Sequence, residues 1–126
     1  MSAARAGRIA AWVLLAVGLL ASVAGSVWNL YDRLWWYDEV VHGYNFFAIT
    51  LVVSIYAYGR MLTGAREHKL LLVLTIAGLG LALGALWEIA EWAYDQIVRP
   101  NVILAKTDTI VDLIVDTIGA LAAGLV

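Results

Sequence analysis

The sequence has no cysteine, one proline and few charges: Asp, Glu, Lys and Arg make up only 14% of its 126 residues. Without cysteine there is neither a disulfide nor a thiolate metal site, and cysteine usage says nothing about redox compartment. Basic residues form no run and the net charge is −2, which excludes nucleic acid as a partner. There is no Gly-x-Ser-x-Gly, and Ser22, Ser26 and Ser54 stand away from the acidic clusters, so covalent serine chemistry has no nucleophile. Internal repeats and low-complexity segments are also missing.

What remains is apolar. The chain is 63% hydrophobic, whereas a soluble domain averages about 45–50% apolar and about 25% charged. This is the composition of an integral membrane protein. The expected fold is all-α, an integral membrane four-helix bundle with up-down topology, in a single domain over residues 1–126. The expected spans are residues 9–30, 38–58, 70–95 and 108–126. At ~1.5 Å rise per residue, about 20 residues cross a hydrocarbon core of roughly 30 Å.

Arg5 and Arg8 precede the first span. Ser22-Val23-Ala24 imitates a signal-peptide cleavage site, but the apolar run continues into Trp28, which favours a retained span. Trp28, Tyr31, Trp35, Trp36 and Tyr37 then cluster around Asp32 and Arg33. Amphipathic rings favour the headgroup level, so this is an interfacial turn rather than a cofactor box. The second span carries Asp38, Glu39, His42 and Asn45 in its first two turns, and a polar loop over 59–69 follows it. In the third, Gly80, Gly84 and Glu88 share a ridge at four-residue spacing, which lets another helix approach closely. A connector with Pro100 and the apolar Val102-Ile103-Leu104 leads to the fourth. There Asp108, Asp112 and Asp116 form an i, i+4, i+8 ladder continued by Ala120 and Gly124. The chain stops after this span with no polar or basic flank, which reads as a truncation or as a terminus resting in the interface.

The stretch Trp87-Glu88-Ile89-Ala90-Glu91-Trp92-Ala93-Tyr94-Asp95 places three carboxylates at i, i+3 and i+7, on one side of a helix. An ionisable residue inside a bilayer is expensive, and function is its default explanation. Alternating spans bring the start of the second, the end of the third and the start of the fourth to the same side of the membrane. His42, Glu88, Asp112 and Asp116 also lie at matching depths, roughly 5–12 Å inside their helix ends. Positive-inside counting sets Arg5, Arg8, Arg60, Arg66 and Lys69 against Arg33, Arg99 and Lys106. This makes the N-terminus cytoplasmic and the acidic side extracytoplasmic.

The inward-facing candidates are Asp38, His42, Asn45, Glu88, Glu91, Asp95, Asp112 and Asp116. So many acids cannot all stay ionised together in a low-dielectric interior, and Arg33, Arg99 and Lys106 lie in connectors. Shared protons or a bound cation must neutralise them. A divalent metal held by His42, Glu88, Asp112, Asp116 and Asp38 does this most economically. Carboxylates with one imidazole suit Zn²⁺, Mn²⁺ or Fe²⁺, and Mg²⁺ or Ca²⁺ fit if His42 is not a ligand. Glu-x-x-Glu with a single His departs from the paired Glu-x-x-His of di-iron bundles. Glu91 is the candidate general base if the metal activates water for a membrane-embedded hydrolase acting on lipid-like substrates.

Plainer explanations stand beside these. Asp108, Asp38 and Glu39 sit at helix starts, where the dipole favours acids. Asp95 can pair with Arg99 one turn on. Glu67 and His68 read as solvated loop residues. His42, Glu88, Asp112 and Asp116 have the weakest structural excuse, a buried polar network without ligand.

Trp36-Tyr37-Asp38 with His42, then Trp87-Glu88-Ile89-Ala90-Glu91-Trp92, then Asp108-Thr109 with Asp112, Asp116 and Gly119-Ala120, resemble the YjdF-like bacterial inner-membrane proteins. The likeness runs from about Tyr31 onward. It implies an architecture in a bacterial inner membrane, with further spans in longer members, and no activity. A looser similarity links the chain to VanZ-like membrane proteins, although a clear Asp-x-x-x-Asn is missing from the last span. Three functions compete: a divalent-cation site, catalytic or not; a proton- or cation-coupled transport component, with Thr50, Ser54 and Thr75 as stepping stones; and a non-catalytic assembly protein. The last would pair through Gly80/Gly84 and Ala120/Gly124, a route to a homo-oligomer.

Overall fold

The structure, a computed structural model, describes residues 2–61, 68–98 and 106–126. The loop beyond Met61 and the Pro100 connector, with Arg66, Arg99 and Val102–Leu104, lie outside the described residues, as does the Asp95 side chain. Within the described residues the chain is all-helical: α1 (Ala3–Val27), α2 (Leu30–Arg33), α3 (Tyr37–Met61), α4 (Lys69–Ile97) and α5 (Lys106–Leu125).

The expected boundaries shift modestly. α1 ends at Val27 rather than at residue 30, because Asn29 takes the left-handed conformation (φ 57°), which asparagine tolerates better than most residues. The expected interfacial turn then contains the extra one-turn helix α2.

The arrangement is not the closed four-helix bundle that four spans suggest. α3, α4 and α5 pack mutually, whereas α1 touches only α3 and α2 among the described residues. The reason lies in α1 itself. Its buried positions are Ala11, Gly18 and Gly25, every seventh residue, so it offers one narrow stripe of small side chains and seats against one partner. Tyrosines of the turn and of α3 fill the notches: a Cβ on Gly18 would press into Tyr44 and Asn45, and one on Gly25 into Tyr31 and Tyr37. Polar side chains then tie α3 to α1. Tyr37 Oη donates to the Ala21 carbonyl (2.9 Å), Tyr44 Oη to the Leu14 carbonyl (3.1 Å) and Asn45 Nδ2 to Ser22 Oγ (2.8 Å). Bonds of this kind contribute about 0.6 kcal/mol each inside membranes. Replacing Tyr37 and Tyr44 by Phe and Asn45 by Ala together is therefore expected to loosen α1 by roughly 2 kcal/mol. Limited proteolysis in detergent should show α1 cleaved first, with α3–α5 still protected.

The three-helix core is built on small residues. Gly80 faces Ala120 and Thr50, Gly84 faces Asp116, and Gly124 faces Val73 and Ile76. Gly119 meets the Gly43 carbonyl and the Phe47 amide of α3 directly. The small-residue faces considered above for pairing with a partner are thus used within the chain, α4 against α5 and α5 against α3.

Among the described residues three helices are long and apolar enough to cross a membrane: Ala4–Val27, Tyr37–Tyr56 and Lys69–Tyr94. α5, the fourth expected span, is not among them, since Asp108, Asp112 and Asp116 dilute its apolar character. Its polarity is inverted relative to a soluble helix. Asp112 and Asp116 are buried, whereas Ile110, Ile114, Ile118 and Leu125 lie open on the outside. Only an apolar surrounding rewards that arrangement. Exposed Trp28, Trp35, Trp36, Trp87 and Trp92 gather at the acidic end, and Trp12 donates to Tyr56 (2.9 Å) toward the other. Aromatics at two levels are what two membrane–water interfaces select.

Candidate metal centre

Three helix segments supply the site. The first turns of α3 carry Asp38 and His42, the last third of α4 carries Glu88, and the middle of α5 carries Asp112 and Asp116. Asp116 sits on the face turned to the other two helices because a glycine opposite makes room. Gly84, one turn before Glu88, admits Asp116: a Cβ there would lie 2.8 Å from Asp116 Oδ2. The Gly43–Gly119 crossing holds α3 and α5 close enough for His42 and Asp116 to meet.

His42 is the hub. Its Nδ1 lies 3.3 Å from Asp116 Oδ1, and its Nε2 lies 3.7 Å from Asp38 Oδ1. The second distance is an electrostatic contact rather than a hydrogen bond. Phe46, one turn on, stacks against the imidazole with centroids 6.2 Å apart and planes 26° apart, fixing the ring from below. Two groups of three ligand atoms converge, each within 4.8 Å of one another: Asp38, His42 and Asp112; and His42, Glu88 and Asp116.

Burial is steep across the cluster. Asp116 is fully buried, and Asp112 and Glu88 are 4% and 6% exposed, while the Asp38 side chain is 39% exposed. Glu88 Oε1 and Asp116 Oδ2 are buried without any hydrogen-bond partner. An unpartnered buried carboxylate oxygen costs several kcal/mol, and a Cα–H contact from Gly84 is too weak to offset it. Among the described residues no lysine or arginine pairs with these acids; the recorded ion pairs are those of His42 with Asp38 and Asp116. Tyr31, on the turn outside the spans, has its phenol pKa raised above the usual value by burial, so it stays a neutral hydroxyl near this end.

The donor set fits a divalent cation. Ligands about 2.0–2.2 Å from a tetrahedral ion stand roughly 3.4 Å apart, so atoms already within 4.8 Å need only side-chain closure. Two carboxylates balance the ion's two charges and the imidazole adds a borderline donor.

The remaining candidate residues stand outside the two converging groups. Asn45 faces α1 and bonds Ser22, so it does not join the cluster. Glu91 is outside both converging groups and accepts a hydrogen bond from Trp87 Nε1 (2.9 Å) on an exposed flank. Asp108 sits at the start of α5, within its first turn. Three contributors were not foreseen from sequence: Phe46 beneath the imidazole, Gly84 as the notch for Asp116, and Thr109, whose side chain comes within hydrogen-bonding reach of Glu88. The i, i+4 spacing of Phe46 from His42 was a signal for the first.

Among known proteins, an uncharacterized protein of Thermotoga maritima is 35% identical over 104 residues, covering 79% of this chain and 52% of the relative. The chain thus spans about half the length of that relative. No solved structure matches. The model of the DUF2238 family, described as predicted membrane proteins, matches residues 4–126; with nearly the whole chain matched, the protein belongs to that family of membrane proteins.

Proposed function

We propose that this membrane protein works through a divalent cation held by His42, Glu88 and Asp116, with Asp112 and Asp38 on the outer side. The observation that carries the reading is the pair of unpartnered buried oxygens, Glu88 Oε1 and Asp116 Oδ2, on residues that converge on one imidazole. Zn²⁺, Mn²⁺ and Fe²⁺ suit the nitrogen-containing donor set best, and Mg²⁺ is the oxygen-only alternative. The orientation in this reading is N-terminus cytoplasmic and site extracytoplasmic, in a bacterial inner membrane. Membership of the YjdF-like proteins within the family is part of it.

The chemistry we favour is hydrolysis of a lipid-like substrate. Trp87 and Trp92 flank Glu88 on the exposed side of α4, which sets the cluster at headgroup depth, where a polar lipid group can reach it. A divalent cation held by His42, Glu88 and Asp116 would supply Lewis acidity, activating water and polarising a phosphoryl or carbonyl oxygen. Glu91 serves as base in this scheme after turning away from Trp87; its bond to the indole is the resting arrangement. If so, Trp87→Phe frees Glu91 and leaves metal content unchanged.

A transport role has one observation in its favour. Thr50 and Ser54 continue the Asp38–His42 face of α3 at i+8 and i+12 from His42, buried and unpartnered. Thr50 is packed against Gly80, however, and Phe46 blocks the row between His42 and Thr50. A proteoliposome assay separates the two: cation or proton flux lost in Thr50→Val supports the relay. Turnover of a lipid-headgroup ester that depends on added metal, with no flux, supports the hydrolase.

The direct test is metal content after purification in detergent and dialysis against chelator-free buffer. One divalent ion per chain is expected, with thermal stability falling when a strong chelator removes it. A folded protein with no metal and no stabilisation by Zn²⁺, Mn²⁺, Fe²⁺ or Mg²⁺ rejects the reading.

A further inference from the structure

The two converging groups share His42, and one acid of each stands at a different edge of its ring. Nδ1 faces Asp116 at 3.3 Å and Nε2 faces Asp38 at 3.7 Å. One neutral imidazole has one nitrogen with a lone pair and one that carries the proton. It can ligate from a single edge, so the two groups cannot be equivalent.

Burial and charge say which edge ligates. His42, Glu88 and Asp116 are all buried, and both carboxylates of this group have an oxygen without a partner. With neutral His42, its charge of −2 is cancelled by one divalent ion. The other group includes the half-open Asp38, no oxygen of which is left buried and unpartnered. A carboxylate behind the non-ligating nitrogen of a metal-bound histidine holds the N–H, fixes the tautomer and makes the ring a better donor. Asp38 stands on that side of the ring, at 3.7 Å, a side-chain adjustment away from a hydrogen bond.

We propose that the cluster has two compartments divided by the His42 ring. The inner one, Nδ1 with Glu88 and Asp116, holds the cation. In the outer one Asp38 is a positioning residue that keeps the proton on Nε2, and Asp112 forms the charged entrance through which the cation arrives. This rests on the cation reading above and assigns the roles within it. Asp112 is itself buried, at 4% exposed; it comes one turn before Asp116 on α5, on the side of the half-open Asp38, so it lines the way inward, where a carboxylate raises local cation concentration.

The test uses full-length protein in detergent, loaded with Zn²⁺ for affinity and Cu²⁺ for spectroscopy. Glu88→Gln and Asp116→Asn are expected to show no saturable Zn²⁺ binding at one hundred times the wild-type Kd. Asp38→Ala should still bind one Zn²⁺ per chain, about 10–100-fold more weakly, with Asp38→Glu restoring most of the loss. In the Cu²⁺ protein the spin-echo modulation from the remote imidazole nitrogen should change in Asp38→Ala and be absent in His42→Ala. Asp112→Asn should slow Zn²⁺ association and flatten its salt dependence, leaving stoichiometry at one. Two Zn²⁺ per wild-type chain, or loss of binding in Asp38→Ala as complete as in Asp116→Asn, overturns the two-compartment assignment and leaves the cation reading standing. Wild-type protein that binds no divalent ion removes the cation reading itself.

Discussion

Asp116→Ala is expected to abolish divalent-cation binding and, unlike most ligand removals, to leave an apo protein that is no less stable than the wild-type apo form. Asp116 is fully buried with one oxygen unpartnered. In the absence of a cation that oxygen is a liability of several kcal/mol. Removing the carboxylate relieves it, and loses both the 3.3 Å contact to His42 Nδ1, worth about 1 kcal/mol net, and the packing beside Gly84, a cavity cost of order 1–3 kcal/mol. The metal-loaded wild type gains the binding free energy on top of its apo stability, so the mutant should lie well below it. The comparison is a thermal melt of both proteins with and without saturating Zn²⁺. A large metal-induced rise confined to wild type, with similar apo values, is the expected pattern. A mutant that melts far below wild-type apo protein makes Asp116 a structural hydrogen-bonding residue instead.

Gly119→Ala should be the most damaging glycine-to-alanine change among the described residues. Its Cβ would meet the Gly43 carbonyl oxygen and, at 3.0 Å, the Phe47 amide nitrogen. Both are main-chain atoms of α3, which cannot swing aside as a side chain can. Relief requires α3 and α5 to separate, which also pulls His42 from Asp116. Overpacking costs about 1–3 kcal/mol where side chains can adjust, and the upper end applies here. Metal affinity should fall with stability although no ligand is touched. Gly78→Ala is the matched control, since nothing lies within 4 Å of a Cβ there. Alanine in a helix interior is favoured over glycine by roughly 0.5–1 kcal/mol. Differential scanning fluorimetry should place Gly78→Ala at or above wild type and Gly119→Ala far below.

The helices and the meeting of the acids were legible because both depend on position along the chain. Apolar length marked the first three spans, and depth from the helix ends placed His42, Glu88, Asp112 and Asp116 at one level. The Gly80, Gly84, Glu88 ridge followed from four-residue spacing, and α4 does turn that ridge to α5. Rotation about the helix axis was less legible. Asn45 is three residues from His42, and Glu91 three from Glu88, so each lies about 60° around its helix from the residue it was grouped with. That offset is enough for a competing partner to decide, Ser22 for Asn45 and Trp87 for Glu91.

The packing of α1 was missed for a different reason. Hydropathy reports that it crosses the bilayer but not which stripe it buries. The seven-residue repeat of Ala11, Gly18 and Gly25 held that information and points to a single partner. The charge of α5 reads differently by sequence count and by fold. Counted along the sequence, its aspartates lower its apolarity; seen in the fold, they turn inward and leave isoleucines outside.

The most direct test is anomalous scattering from crystals of the full chain grown with Zn²⁺ or Mn²⁺ after the protein has been washed free of loosely bound ions. One strong peak is predicted between His42 Nδ1, Glu88 and Asp116, at about 2.0–2.2 Å from its ligands. Ordered density for those three side chains with no anomalous peak among them would contradict the cation site, and with it the function proposed for the protein.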